Sequence, residues 1–599
     1  MAHYFHEDEY QARDYDSRLM KRLLVYVRPY RFKLAVSVML LLVVAGLELL
    51  GPYLIKRAID VHIAQKDIPG LLHLVIFFFF VLIAALIAHF AQLYNTRWVG
   101  QKVVYDLRME VFKHLQKLPV AYFDRNPVGR LMTRVTSDVQ VLEEMFSAGI
   151  VSIFGDIFPL MGIVTAMLIL NWKLALVTFA IIPLIFCATF IFRKYVRRAF
   201  REVRLKVARI NSFMNEYIAG MLVTQLFNLY QRNSGKFNEL NYSYYESQIR
   251  TILYFAIFLP TVELFSSLAA GLILGYGGKL ILAGAITLGS LIAFLQYSER
   301  FFRPIRDLAE KYNILQGAMA SSERIFALLD TEPAVASPEK PVKNAPASGN
   351  IEFRNVTFAY NEGGPVLKDV SFKVGTGETV AVVGHTGAGK TTIINLLCRF
   401  YDVDEGEILV DGVNVKDYEL HELRRKIGLV QQDLFLFSGT IEDNICIDRV
   451  RSDCETAHEA AKTVQVDKFI DKMPEGYKTG VGERGVTLSI GQRQLLSFAR
   501  ALAVNPEILV LDEATSSVDS ETEALIQQAL SVLLQGRTSL VIAHRLSTIR
   551  KADRIIVLHH GKIRESGNHE QLLAEKGIYY RLYMLQTGKY NNAESVSAR

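Results

Sequence analysis

Gly384-His385-Thr386-Gly387-Ala388-Gly389-Lys390-Thr391 fits the pattern G-x-x-x-x-G-K-[ST], and its setting decides the fold of half the chain. The five residues before it, Thr379-Val380-Ala381-Val382-Val383, read as a buried strand. The run after it, Thr392-Ile393-Ile394-Asn395-Leu396-Leu397, reads as the start of a helix. Strand, glycine loop and helix N-terminus are what phosphate binding requires. Glycines let backbone N–H groups wrap the phosphates, and the helix terminus adds partial positive charge. Lys390 can reach the terminal phosphates and Thr391 can ligate Mg²⁺. Residues 384–392 are thus the expected nucleotide contacts, Thr392 included.

Outward from this motif the chain has two unlike halves. Over 599 residues, hydrophobic residues make up 51% and charged ones 21%. The first half carries long apolar runs, and the rest is an ordinary soluble mixture. A net charge of +6 makes no case for nucleic acid. Cys187, Cys398, Cys446 and Cys454 show no metal-ligand spacing, and a disulfide framework is not expected in a cytosolic domain. Cys187 being the first cysteine argues against a cysteine-protease domain ahead of the apolar runs. The acidic Glu7-Asp8-Glu9 near the start fits neither a signal nor a transit peptide.

Six stretches approach the ~20 apolar residues that a membrane helix needs: residues 34–54, 71–93, 150–170, 174–192, 252–274 and 280–295. Short links, 55–70, 171–173 and 275–279, alternate with long ones, 94–149 and 193–251. The long links are basic, with Arg97, Lys102, Arg108, Lys113 and Lys117 in the first and Arg193, Lys194, Arg197, Arg198 and Arg201 in the second. The positive-inside rule puts them, and both termini, in the cytoplasm. Apolar positions in 98–118 recur at helical spacing, so the helix continues ~30 Å past the bilayer. The pattern breaks at 124–129 and again at 215–221, around Gly220. Each long link is therefore expected to be a helical hairpin whose tip sits against a cytosolic domain near Gln432, or else serves as a rigid spacer. Residues 19–30 read as an amphipathic helix on the inner membrane surface.

In the soluble half, Ile508-Leu509-Val510-Leu511 is an apolar strand that ends in Asp512-Glu513. Asp512 suits a Mg²⁺ site, and Glu513 could orient or deprotonate an attacking water. Leu488-Ser489-Ile490-Gly491-Gln492 resembles the signature motif of the ATP-binding cassette (ABC) family. Ala543-His544-Arg545 resembles its switch histidine, Val430-Gln431-Gln432-Asp433 its glutamine loop, and Ser516-Ser517-Val518-Asp519 its D-loop. Phe358-Ala359-Tyr360 places Tyr360 where the family stacks adenine, and Gly482-Glu483-Arg484-Gly485 resembles a loop found in its exporters. Residues 123–130 resemble the first coupling helix of that class. The sequence departs from the commonest signature at Ile490, a variable position.

The resemblance implies an exporter half-transporter. Its fold is an all-α six-helix transmembrane domain with long cytoplasmic extensions, fused to an α/β P-loop ATPase. The expected divisions are 1–33 (cytoplasmic N-terminus and surface helix), 34–330 (membrane domain), 331–350 (linker), 351–585 (cassette) and 586–599 (tail). The resemblance gives Glu513, His544 and Gln432 catalytic roles, Thr391, Gln432 and Asp512 to Mg²⁺, and Ser489, Gly491, Gln492 and Asp519 to ATP. Two cassettes would close over two ATP molecules, with each P-loop facing the other chain's signature. The partner is then a second half-transporter chain, a second copy or a related one. Location is expected in the cell's inner (plasma) membrane.

The cargo is expected to be an amphipathic drug or lipid. A peptide or metal-chelate substrate, import by the same fold, and an ATP-gated channel stay open, while the six apolar stretches oppose a soluble cassette acting on nucleic acid. Glu48, Asp156 and Glu263 lie inside apolar stretches, where a carboxylate contacts substrate or finds a protein partner. Glu299, Arg300 and Arg303 read as a gate pair or an interfacial charge cluster, and residues 77–80, four phenylalanines, as lipid-facing or packing residues or as a grip on an apolar ligand.

Overall fold

The computed structural model describes residues 16–342, 348–360, 363–447, 454–512, 520–543 and 546–587. The chain forms two compact units, Met1–Gln116 with Val128–Thr331, and Lys117–Pro127 with Glu332–Arg599.

The first unit is helical. It comprises α1 (Ser17–Val27), α2 (Arg31–Arg57) and α3 (Ile68–Leu115); α4 (Val120–Arg125) belongs to the other unit. It resumes with α5 (Val128–Thr133), α6 (Val139–Glu144), α7 (Val151–Phe179), α8 (Ile182–Ala219), α9 (Met221–Leu226), α10 (Tyr230–Leu282) and α11 (Leu288–Leu329). Among the described residues, four helical stretches are long and apolar enough to cross a membrane: Ser17–Ile63, Ile68–Leu115, Phe154–Phe179 and Tyr230–Leu282. The 48 residues of α3 span ~72 Å. That is more than twice the ~30 Å of a bilayer core, so the helix must emerge from it.

Two expected spans are drawn differently. Residues 174–192 are not one helix. The backbone breaks at Asn171 (φ −166°, ψ 108°), within the expected link 171–173, but α7 then ends at Phe179 and α8 restarts with Pro183 in its first turn. Proline is tolerated there because a first-turn N–H has no helical acceptor. The expected link 275–279 is helix inside α10, and the turn falls at 283–287, where Gly284 has φ +66°. The reason is packing. A Cβ on Gly277 would run into Leu291, so this glycine admits a neighbouring helix instead of ending its own. The first hairpin also breaks earlier than expected. α3 stops at Leu115, Pro119 precedes α4, and Asp124 and Arg125 close α4. In the second hairpin α8 ends beside Gly220, and α9 follows.

Polar groups in the helical unit are mostly paired. Asp156 bonds Lys311 across α7 and α11. A lone charge inside a membrane span costs up to ~3 kcal/mol on insertion scales, and the Lys311 ammonium offsets part of that cost. Arg300 donates to the Glu48 carbonyl at 2.6 Å. Glu48, Glu263 and Glu299 are exposed, as are Phe77, Phe79 and Phe80; the Arg303 side chain lies outside the described residues.

The second unit is α/β. Its strands are β1 (Ile351–Phe358), β2 (Leu367–Val374), β3 (Thr379–Val383), β4 (Glu405–Val410), β5 (Val413–Asn414), β6 (Ile427–Val430), β7 (Gly439–Thr440), β8 (Gly480–Val481), β9 (Ile508–Asp512), β10 (Thr538–Ile542), β11 (Arg554–His559) and β12 (Lys562–Gly567). They build an antiparallel sheet ordered β2-β1-β4-β5, a six-stranded sheet ordered β12-β11-β3-β10-β9-β6, and the small pair β7-β8. In the large sheet only β12 runs antiparallel. β3, β9 and β10 are buried along almost their whole length, as strands covered on both faces must be. The helices needed here are α12 (Lys390–Leu397), α13 (Leu420–Lys426), α14 (Ile441–Ile445), α15 (Cys454–Thr463), α16 (Asp467–Ile470) and α17 (Ile490–Ala503).

Candidate nucleotide site

The site lies at the C-terminal ends of the parallel strands, where open α/β sheets bind ligands. Ile542 of β10 pairs with Val382 on one side and Asp512 on the other. That register sets Asp512 level with the strand end that feeds the glycine loop. A Cβ on Gly384 would strike the Leu558 carbonyl, and Gly389 caps α12 at φ +103°. Both positions need glycine for the loop to fold back over the helix terminus. His385, Thr386 and Gly387 are exposed, while Ala388, Gly389 and Lys390 are buried.

Lys390 donates its Nζ hydrogens to the carbonyls of Gly384 (2.9 Å) and His385 (3.1 Å), arching over the loop. Burial pushes its pKa down, with Asp512 pulling the other way. A buried ammonium held by two neutral carbonyls is poised for an anion. Thr391 Oγ1 donates to Asp512 Oδ2 at 3.1 Å, so a hydroxyl and a carboxylate oxygen converge beside the helix start. Among the described residues no three His, Cys, Asp or Glu side chains gather as a metal cage. Hydroxyl plus one carboxylate fits Mg²⁺, which takes few protein ligands and completes its shell with phosphate and water.

Tyr360 stands against α12. Its hydroxyl donates to Thr392 Oγ1 (3.2 Å) and accepts from Asn395 Nδ2 (3.1 Å). Its ring meets Phe358 and Tyr401 edge-on at 4.9 and 5.0 Å. The tip helix α4 closes on this cluster. Arg125 Nη2 donates to the Tyr360 carbonyl at 3.0 Å, and Tyr401 donates its hydroxyl to Asp124. Burial, reinforced by that bond, raises the Tyr401 pKa and keeps it a donor. The expected groove near Gln432 is not where these bonds go. Gln432 is exposed in the segment after β6, and the tip holds the aromatics beside the glycine loop.

Ser489 opens α17. Its Oγ accepts from Gln492 N at 3.2 Å while Gln492 Oε1 accepts from Ser489 N at 2.9 Å, a capping box worth ~1 kcal/mol. Gly491 is buried. At the far end of α17, Arg500 donates to the Asn444 carbonyl (2.8 Å), the Phe435 carbonyl (2.9 Å) and Asn444 Oδ1 (3.0 Å). Burial lowers its pKa to about 10. It ties α17 to the segment that follows Gln432. Arg500, Asn395 and Tyr401 escaped the sequence reading. Glu513, Asp519 and His544 lie outside the described residues.

Two family models match: ABC transporter transmembrane region over residues 34–305 and ABC transporter over residues 367–516. Similar proteins include the uncharacterized ABC transporter ATP-binding protein YknV of Bacillus subtilis (strain 168), 42% identical over 97% of each chain. The putative ABC transporter ATP-binding protein exp8 of Streptococcus pneumoniae is 38% identical over 95% of this chain and 97% of its own. A putative multidrug export ATP-binding/permease protein of Staphylococcus aureus (strain bovine RF122 / ET3-1) is 37% identical over 95% of this chain and all of its own.

Proposed function

The chain belongs to the ABC transporter family, and from that premise we propose that two copies form an exporter moving an amphipathic drug-like or lipid molecule out of the cytoplasm or inner leaflet by alternating access. ATP hydrolysis coupled to transport comes with the family. The observation that carries the rest is α4: a piece of the membrane-side hairpin is bonded through Asp124 and Arg125 to the aromatics beside the glycine loop. A nucleotide that moves Tyr360 must move this hairpin.

In this reading Lys390 exchanges its two carbonyl partners for phosphate oxygens, and Tyr360 stacks on adenine. Thr391 and Asp512, with Gln432, would hold Mg²⁺, which would supply charge screening for the phosphates. Glu513 takes a proton from the attacking water, and His544 stabilises the charge that develops. Ser489, Gly491 and Gln492 at the α17 N-terminus meet the phosphates bound by the other copy, with Asp519 at the seam. Converting a 1:99 open-to-closed ratio to 99:1 needs ~5.5 kcal/mol. Two ATP molecules that touch both copies only in the closed form can supply it.

A second copy is supported by surfaces that a lone chain exposes. In α9 and just beyond, Leu222, Leu226 and Phe227 are 79%, 72% and 65% exposed; beside the signature, Val486 is 80% exposed. Basic long links favour an inner-membrane orientation with cytoplasmic termini. The multidrug export named for the Staphylococcus aureus relative favours an amphipathic cargo. The test is reconstitution in proteoliposomes with outward-facing cassettes: ATP should drive a fluorescent amphiphile into the lumen, and Glu513→Gln should stop it. ATP hydrolysis with no cargo movement across a broad amphiphile panel would count against export.

A further inference from the structure

We infer that the outer face of α1 is a binding surface for anionic lipid headgroups, and that its occupancy is passed to the end of α11 through Arg22 and Tyr26. The inference rests on the cytoplasmic placement of α1 proposed above.

Between Ser17 and Lys33 the chain carries six Lys or Arg and no acid. A basic run on an amphipathic helix just before a membrane span is the composition that attracts anionic lipid. The structure divides these charges into two sets. Met20, Leu23 and Val27 form the buried stripe of α1. Arg18, Lys21, Val25 and Arg28 follow at spacings of three and four residues, so they share the opposite face, and all four are exposed. Arg31 and Phe32 (79% exposed) continue it into the start of α2. Cations interleaved with an aliphatic and an aromatic side chain match a headgroup layer over an acyl boundary.

The inner set is committed elsewhere. Arg22 donates to both Asp330 oxygens (2.6 and 2.8 Å) and lies 4.1 Å over the Phe326 ring, on which Tyr26 also stacks. Tyr30 donates to Asp106 at 2.7 Å, and Lys33 sits 3.1 Å over Trp98. Phe326 and Asp330 are the last turn and C-cap of α11. Any tilt of α1 toward the lipid surface must therefore pull on the helix end from which the chain leaves for the cassette.

The chain provides its own reporter. It has two tryptophans, Trp98 and Trp172, so Trp172→Phe leaves Trp98, packed against Tyr30 and Lys33 just after α1, as the only one. The full-length chain in zwitterionic nanodiscs is doped with equal fractions of chain-brominated phosphatidylglycerol or chain-brominated phosphatidylcholine. Trp98 should be quenched at least about threefold more by the anionic lipid, with the difference shrinking at high salt. Replacing Arg18, Lys21, Arg28 and Arg31 by Gln should abolish the preference, while Arg→Lys at the three arginines should keep it. The anionic lipid should also raise ATPase. Asp330→Asn should keep the quenching preference but lose that rise.

Equal quenching by the two lipids in the native chain, or an unchanged preference in the four-glutamine variant, overturns the binding surface. Relief of the preference by inorganic phosphate at constant ionic strength would assign the face to a soluble anion and overturn it too. A full ATPase response in Asp330→Asn overturns the relay. Hydrolysis without lipid preference defeats this inference alone; lipid preference without cargo movement defeats the export reading alone.

Discussion

The two hairpin tips differ in what they present. The first, α4, ends in Asp124-Arg125 and is held by directional bonds to Tyr401 and Tyr360. The second, α9, reads Met221-Leu222-Val223-Thr224-Gln225-Leu226 and leaves Leu222 and Leu226 more than two-thirds exposed. A polar tip specifies geometry, because each bond fixes a direction. An apolar tip on a six-residue helix specifies little in water and gains only when something dry covers it. The first tip is thus held within one chain, while the second leaves its apolar side chains uncovered.

The largest expected effect calibrates both tips. Glu513→Gln should leave ATP binding intact and lower turnover at least about a hundredfold; near-normal hydrolysis would remove Glu513 from the catalytic set. Next comes the apolar tip. Leu222→Asp with Leu226→Asp changes side chains that are exposed in one chain, so the fold should survive. If a second copy covers the tip, ATPase should fall about tenfold and the dimer population, read by mass photometry, should drop. Unchanged activity and mass would mean that α9 stays in water.

The polar tip should respond more mildly. Tyr401→Phe removes one charged hydrogen bond, worth ~1.5–3 kcal/mol at most. Cargo moved per ATP should fall about fivefold with hydrolysis nearly intact, and an unchanged ratio would reduce the bond to scaffolding. The smallest effect is on pH. Burial lowers the Lys390 pKa, so nucleotide affinity should decline with rising pH before an ordinary lysine would titrate. Between that lowered pKa and the ordinary one the unfolded chain binds more protons, so this group makes stability rise with pH. Nucleotide affinity that stays flat to strongly alkaline pH would contradict the role of Lys390.

What the sequence made legible was local. Residues 384–391 and 488–492 carry their meaning in fixed spacings, because adjacent backbone groups build a phosphate loop and a helix start. The turn after α10 was misplaced because Gly275, Gly277 and Gly278 look like a link, and only the approach of Leu291 shows why Gly277 is there. Tyr401 and Arg500 were silent for the same reason. Their partners, Asp124 and Asn444, are remote in sequence, and no period or motif joins them. Asp156 allowed two readings, and the sequence alone did not show Lys311 as its protein partner.

The account turns on the first tip as the link between nucleotide and membrane. The direct measurement is hydrolysis and amphiphile uptake in the same proteoliposomes, native chain against Asp124→Lys. The native chain should do both. In the variant an ammonium replaces the carboxylate and cannot accept from the Tyr401 hydroxyl. It should hydrolyse ATP at a comparable rate while uptake falls to the level without ATP. Uptake that keeps pace with hydrolysis in the variant would contradict the account.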